Sequence, residues 1–328
     1  MKTLLLSIKD VEVALSMKEV ISAVEDGYIA YNAGKVQQPD IVSMEMPEHN
    51  GETDIKSCYN ELNERISVKI ASGFYNNGKI NDLPTMIGTI LLYDGTNGAP
   101  LCIMDGSLIT GIRTGAAGAI SSKLLARKDS KTVAVFGAGG QARMQIYAIC
   151  QVMDIQKIRV YSERQSELTK YKKDIEENTK AKVILCDTPE HAMKGADIAI
   201  STTPSKKYYI DKSLVKPGIH IVAVGADMAG KNEWEPEVFK GAKIVTDNIA
   251  QCVSRGETRN AIISGAIQET DIYAEIGQLL SGEKPSRESD DEITIFDTTG
   301  MGIQDNVTAV MVYEMAKKKG FGEYFEFI

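Results

Sequence analysis

The chain has 328 residues, 43% hydrophobic and 25% charged, with 45 Asp and Glu against 37 Lys and Arg for a net charge of −8. That length favours two domains or one large α/β domain, and the composition is that of an ordinary soluble globular protein. The acidic balance with scattered basic residues argues against a nucleic-acid partner, no apolar run reaches the roughly 18 to 20 residues of a membrane span, and five dispersed cysteines with three histidines read as reduced thiols rather than a metal site.

The N-terminal stretch, Met1 to Asp10, begins like a signal peptide, but its apolar core is far too short and charges follow at once at Lys9 and Asp10, so the expected location is the cytoplasm. Residues 11–33 carry apolar side chains at three- and four-residue steps. This spacing predicts an amphipathic helix, with Ser16 a candidate N-cap and Gly34 a stop. From Gln37 to Asn77 the chain reads as irregular to strand-like, with a polar stretch over Pro47 to Asp54 and an alternating run from Arg65 to Ala71. Lys69 lies in that run, either on a solvated face or as a cation turned towards a ligand. Thr85 to Tyr93, the turn Asp94 to Gly98 and Pro100 to Met104 predict a hairpin of buried strands. From Ser107 to Ala126 helical spacing combines with dense glycine and alanine, which admits a close backbone or a ligand. Arg113, among those small residues, either offers a planar fork to a carboxylate or phosphate or serves a structural ion pair.

Val133 to Phe136 suit a buried strand, and Gly137, Gly139 and Ala142 then occupy the small positions of the G-x-G-x-x-G/A dinucleotide fingerprint. Gly137 permits the tight turn, Gly139 lets backbone N–H groups approach a pyrophosphate, and Ala142 keeps the following helix close. Strands at Ile158 to Tyr161, Lys182 to Leu185, Ala196 to Thr203, His220 to Gly225 and Lys243 to Asp247 alternate with helical stretches through Tyr171 and over Glu190 to Lys194. The fold class is therefore α/β, a Rossmann-type doubly wound parallel sheet. Ligands of such sheets sit beyond the carboxyl ends of the strands, which brings Thr202, Thr203, Gly225, Ala226 and Asp227 to the cofactor rim. For Asp227 the alternative is N-capping of a following helix. Asp290 to Asp305 reads as a strand and a glycine turn, which either contacts a nicotinamide or caps the helix expected over Asn306 to Lys319; Lys317 to Lys319 complement that helix's dipole.

Together Val68 to Phe74, Leu83 to Met86, Asp105 to Ala117, Gly137 to Ala142, Gly225 to Glu233 and Phe296 to Asp305 resemble the ornithine cyclodeaminase/μ-crystallin family, which includes archaeal-type alanine dehydrogenases. The resemblance implies a homodimer, with an α+β substrate and dimerisation domain over residues 1–125 and 306–328 and a Rossmann domain over 126–305. It implies that Lys69 and Arg113 hold a substrate α-carboxylate, that Asp227 is the catalytic acid/base with Lys69 beside it, and that Met86 and Lys56 line the substrate. The implied NAD(P) surface comprises Thr85, Arg113, Thr114, Gly137, Ala138, Gly139, Gly140, Gln141, Ala142, Ser162, Glu163, Arg164, Thr202, Thr203, Val224, Gly225, Ala226, Asp227 and Gly300. The implied chemistry is hydride transfer at the α-carbon of a small amino or imino acid, as cyclodeamination or as amino-acid dehydrogenation or imine reduction; the alternative is a non-catalytic μ-crystallin-like NADP-dependent binding protein.

The chain departs from that pattern at Asp40, where many members have a clamp arginine, and at Lys56, where ornithine cyclodeaminases have a glutamate for the distal ammonium. A lysine there disfavours a diamino acid, because it repels an ammonium group. At the second Rossmann strand's end, Ser162 and Arg164 lean towards NADP(H), and Glu163 suits the ribose of NAD(H).

Overall fold

A computed structural model describes residues 2–326. The chain folds into two compact units, one from the part up to Arg113 with the return from Met301, the other Thr114–Gly300. These limits precede the sequence-drawn ones because helix 107–125 is shared: beyond Arg113 its glycines pack on the Rossmann unit, a Cβ at Gly115 lying only 2.6 Å from the Met144 carbonyl oxygen.

The first unit opens with β1 (Lys2–Leu6), α1 (Ile8–Ala14) and α2 (Met17–Asn32). One helix was expected here, and two form. Ser7 and Asp10 make a reciprocal capping box that starts α1, and Leu15 and Ser16 are extended, so the chain breaks before α2. Next come β2 (Val36–Gln37), β3 (Val42–Met46), β4 (Gly51–Asn60), β5 (Arg65–Phe74), the short α3 (Asn77–Ile80), β6 (Met86–Asp94) and β7 (Pro100–Asp105). The polar stretch before Lys69 thus runs into a ten-residue strand, β4. Its Glu52, Asp54 and Lys56 hide the alternation by putting charges where apolar residues would mark a buried face. The sheet order is β16-β1-β7-β6-β5-β4-β2, with β3 on β4. The hairpin read from Thr85 to Met104 is the β6–β7 antiparallel pair. Leu4, Leu6, Val11, Ile90, Leu92, Met104, Ala309 and Val312 form the core of this unit.

Helix α4 (Ser107–Leu125) leads into β8 (Thr132–Phe136), α5 (Gly140–Val152), β9 (Lys157–Tyr161), α6 (Gln165–Asn178), β10 (Lys182–Cys186), α7 (Pro189–Met193), β11 (Ile198–Ser201) and β12 (His220–Ala223). Then follow β13 (Lys243–Thr246), α8 (Ile249–Arg255), α9 (Glu257–Ile263), β14 (Ile272–Glu275), α10 (Ile276–Leu280) and β15 (Thr294–Asp297). These strands make one sheet in the order β10-β9-β8-β11-β12-β15-β13-β14 with parallel pairings. The order turns back between β8 and β11, the switch point at which doubly wound sheets bind ligands. Phe136, Trp234 and Phe239 fill the core on one face. The chain ends the first unit with α11 (Gly302–Lys319) and β16 (Glu323–Glu326). Gly27 of α2 lets α11 pack closely, since a Cβ there would lie 3.2 Å from Ile303. Among the described residues no helix is long and apolar enough to cross a membrane, and no group of three or more His, Cys, Asp or Glu is placed to hold a metal.

Candidate active site

Strand alternation sends the Lys69 side chain to the buried face of β5, and α11 supplies Asp305 against it. Lys69 Nζ lies 2.8 Å from Asp305 Oδ1 and 2.7 Å from Oδ2, with both side chains at most 2% exposed. Arg113 Nε, from α4, sits 3.0 Å from the same Oδ1 in ion-pair rather than hydrogen-bond geometry. Its Nη1 donates to Gln304 Oε1 at 2.9 Å, and Gln304 Nε2 donates to the Tyr28 hydroxyl at 2.9 Å. Gln304 Oε1 also accepts from Met301 N at 2.7 Å, which ties the first turn of α11 to the arginine. Buried Lys56 on β4 is the register partner of Lys69.

Three cations therefore act on one buried carboxylate. Burial, then the Arg113 charge, pull the Lys69 ammonium down from 10.5 to about 7, and Asp305 offsets them in part. Burial alone would raise the Asp305 carboxyl; Arg113, Lys69 and Lys56 together hold it below its ordinary value. A dry cluster with this many cations has the electrostatic character that favours an anion.

In the second unit, Gly137 has φ +100°, and a Cβ there would lie 2.8 Å from Thr202 Oγ1 and 3.2 Å from Thr203 Cγ2. Gly139 is the extended N-cap of α5, and space is open beyond Gly139 and Gly140. Ala142 is fully buried against the sheet. Arg143 Nη1 staples the turn by donating to the carbonyls of Ala138 at 2.6 Å and Gly139 at 3.0 Å. The Gln141 Nε2 amide is buried with no protein acceptor. A left-handed turn, an open cradle before a helix N-terminus and an orphan donor fit a dinucleotide pyrophosphate.

The other expected residues divide. Thr202 Oγ1 donates to the Phe136 carbonyl at 3.0 Å, and Thr203 is held by Glu233. Val224 N donates to the Ser201 carbonyl at 3.0 Å, and Ala226 is buried. Ser162 Oγ accepts from Arg164 N at 3.2 Å, whereas Glu163 is exposed and the Arg164 guanidinium pairs with Glu167 at 3.3 Å. Gly300 has φ +81° and its N–H donates to Asp247 Oδ2 at 2.7 Å, so the glycine turn before α11 is at least a structural device. Thr114 is buried, its carbonyl accepting from Gln145 Nε2 at 2.9 Å. Thr85 and Met86 are exposed, and the Thr85 carbonyl accepts from Phe74 N at 2.8 Å. Asp40 is exposed. Asp227 belongs to the second unit, Lys69 and Arg113 to the first. The Asp227 carboxylate is half-exposed and 2.7 Å from Lys231 Nζ; a loop follows it, so the N-cap alternative has no helix to cap.

Sequence reasoning did not single out Asp305, Gln304 or Glu233. Charge accounting could have found Asp305, since buried Lys69 and Arg113 demand a carboxylate and one stands at the start of the last helix.

Residues 1–320 match the profile of the ornithine cyclodeaminase/mu-crystallin family. An alanine dehydrogenase of Archaeoglobus fulgidus is 36% identical over 327 residues, covering 100% of this chain and 99% of that protein. The solved structure of an archaeal alanine dehydrogenase dimer with bound NAD superposes with a TM-score of 0.94 at 36% identity over 100% of both chains. The Δ1-pyrroline-2-carboxylate reductase of Thermococcus litoralis, solved with NADH and L-proline, gives 0.95 at 34% identity, covering 98% of this chain and 99% of that one.

Proposed function

Because the chain belongs to the ornithine cyclodeaminase/mu-crystallin family, we propose that it is a nicotinamide-dependent oxidoreductase acting at the α-carbon of a small amino or imino acid. The observation that carries this reading is the buried triad of Lys69, Asp305 and Arg113.

Lys69 and Arg113 receive the substrate α-carboxylate, and Asp305 with Gln304 fixes both cations before substrate arrives. This preorganisation removes reorientation from the bound state. Lys69, pulled down to about 7 by burial, regains its proton as the anionic carboxylate binds. Asp227 moves the proton at the substrate nitrogen as the carbon–nitrogen double bond forms or is consumed. The NAD(P) cradle is Gly137 to Ala142 with Thr202, Thr203, Val224, Gly225 and Ala226, joined by Thr85, Thr114 and Gly300; when bound, the nicotinamide gives or takes the hydride. Met86 and Lys56 complete the substrate surface. Lys56, standing opposite Lys69, favours net redox over cyclodeamination, since it repels a distal ammonium. The exposed Arg164 beside Ser162 keeps NADP(H) the preferred cofactor in this reading, although the two solved relatives hold NAD or NADH. The proposed state is a cytoplasmic homodimer; an archaeal relative forms a dimer.

The test is a panel of amino acids, 2-oxo acids with ammonia, and cyclic imines, each with both nicotinamides, following nicotinamide absorbance and ammonia together. The reading expects a stoichiometric absorbance change with at least one member. Ammonia release without net absorbance change would make the protein a cyclodeaminase instead.

A further inference from the structure

Glu233 has no part in the chemistry above, yet it is a fully buried carboxyl in direct contact with the rim of the parallel sheet. Its Oε1 accepts from Thr203 N at 2.8 Å, from Thr203 Oγ1 at 2.6 Å and from the Tyr209 hydroxyl at 2.8 Å. Its Oε2 faces Gly225, where a Cβ would collide with that oxygen and with the Thr203 carbonyl. Gly225 is therefore glycine partly because Glu233 stands there. Thr203 Cγ2 in turn packs 3.2 Å from where a Cβ of Gly137 would lie. One side chain thus braces the exits of β8, β11 and β12, the strands flanking the point where the sheet order turns back.

Glu233 is itself fixed from behind. Its backbone N–H donates to Glu257 Oε1 at 2.5 Å, and its carbonyl accepts from Tyr209 N at 3.1 Å and Ile210 N at 3.2 Å. The neighbouring Trp234 is anchored by its indole N–H on Ser201 Oγ at 2.8 Å.

We propose that Glu233 is a positioning residue for the dinucleotide: through Thr203 and Gly225 it sets the backbone on which the cofactor lies, acting by hydrogen bonding rather than by charge. The donors on Oε1 favour an ionised carboxyl, whereas the adjacent acid Glu257 and a pyrophosphate in front of the cradle oppose a negative charge. Burial, which holds this carboxyl above its ordinary range, also opposes that charge. The inference rests on the dinucleotide reading above.

The experiment titrates the full-length chain with NADH and with NADPH by nicotinamide fluorescence, for wild type, Glu233→Ala, Glu233→Gln and Thr203→Val. Glu233→Ala is expected to raise the dinucleotide Kd about tenfold or more, the scale of losing a buried hydrogen-bond acceptor. At saturating dinucleotide, the KM for the amino or oxo acid is expected to stay within about twofold, since the loss lies in cofactor binding. Glu233→Gln, isosteric and uncharged, restores the wild-type Kd to within about threefold, a rescue that a need for negative charge would not permit. Should Glu233→Ala fail to fold, Thr203→Val removes only the hydroxyl donor and is expected to raise the Kd severalfold. A wild-type Kd in Glu233→Ala, a Glu233→Gln no better than Glu233→Ala, or an unchanged Thr203→Val overturns the proposal. A wild-type chain that binds neither dinucleotide overturns the functional reading along with it.

Discussion

Each unit buries a charged network, and the two are opposite in kind. In the first, Lys69, Arg113 and Lys56 act on the buried carboxylate of Asp305. In the second, Glu233, Glu257, Asp297 and Asp247 lie buried near one another, satisfied by backbone N–H groups and hydroxyls: Asp297 Oδ2 accepts from Thr258 N at 2.8 Å, and Asp247 Oδ2 from Thr298 Oγ1 at 2.6 Å. Burial raises Glu233 and Glu257, and Asp297 to about 7. The first is rich in cations, and burial works against the Lys69 charge. The second is biased towards the protonated form at Glu233, Glu257 and Asp297. A buried cation-rich network suits an anionic ligand, and buried acids biased towards protonation suit a scaffold.

The sharpest way to break this contrast is to remove the carboxylate of the cation-rich network. Asp305→Asn leaves Lys69 and Arg113 facing each other without a counterion, and is expected to cost about 3–5 kcal/mol of stability, the usual price of orphaning a buried charge. Urea unfolding would measure it, and a loss below about 1 kcal/mol would mean that the pairing is solvated, as surface ion pairs are.

Next in size, Lys69→Met is expected to lower kcat/KM by about 10²–10³, the scale of removing one partner of a buried ion pair with the substrate carboxylate. An equal change in dinucleotide Kd would place Lys69 in cofactor binding instead.

The pH dependences of the two networks have opposite signs. Lys69 has its folded pKa depressed from 10.5 to about 7, so the folded chain sheds a proton that the unfolded chain keeps. Its contribution to stability is present above the unfolded value and is lost as pH falls towards about 7. An anionic substrate reverses the shift, so calorimetry in buffers of different ionisation enthalpy should detect proton uptake on 2-oxo acid binding at pH values above about 7. Asp297 has its folded pKa raised from 3.8 to about 7, so its contribution is present below the unfolded value and is lost as pH rises through about 7. Asp297→Asn should flatten that decline between about pH 4 and pH 7 in a Tm-against-pH series, and an unchanged slope there would show that Asp297 does not cause it.

The smallest effect is expected at Arg164→Ala, an exposed cation, with an NADPH Kd raised severalfold and an NADH Kd unchanged. Equal Kd values for NADPH before and after would end the preference for NADP(H).

Strands β8 to β13 and β15 are legible because strands buried on both faces are continuous apolar runs, whereas β14, Ile272–Glu275, is too short and too polar to read as one. The glycine turn at Gly137 and the small-residue face of α4 could be read for the same reason, since their residue types have few other uses. Strand β4 was obscured by Glu52, Asp54 and Lys56, and the break at Leu15 and Ser16 by an apolar spacing that runs across it. The site divided in the same way. Lys69 and Arg113 were visible as long cations among small or apolar neighbours, whereas Asp305 and Glu233 matter through contacts from distant segments that no local pattern records.

If the cation cluster binds a carboxylate whose α-carbon exchanges hydride with a nicotinamide, single-turnover oxidation of bound NADH or NADPH by 2-oxo acids with ammonia and by cyclic imino acids, in wild type and Lys69→Met at equal cofactor saturation, will show it. Wild type is expected to oxidise the cofactor stoichiometrically with a carboxylate-bearing substrate and not with its carboxamide analogue, and Lys69→Met to lose most of that activity. Equal turnover of carboxylate and carboxamide, or full activity in Lys69→Met, would contradict carboxylate binding by the cluster.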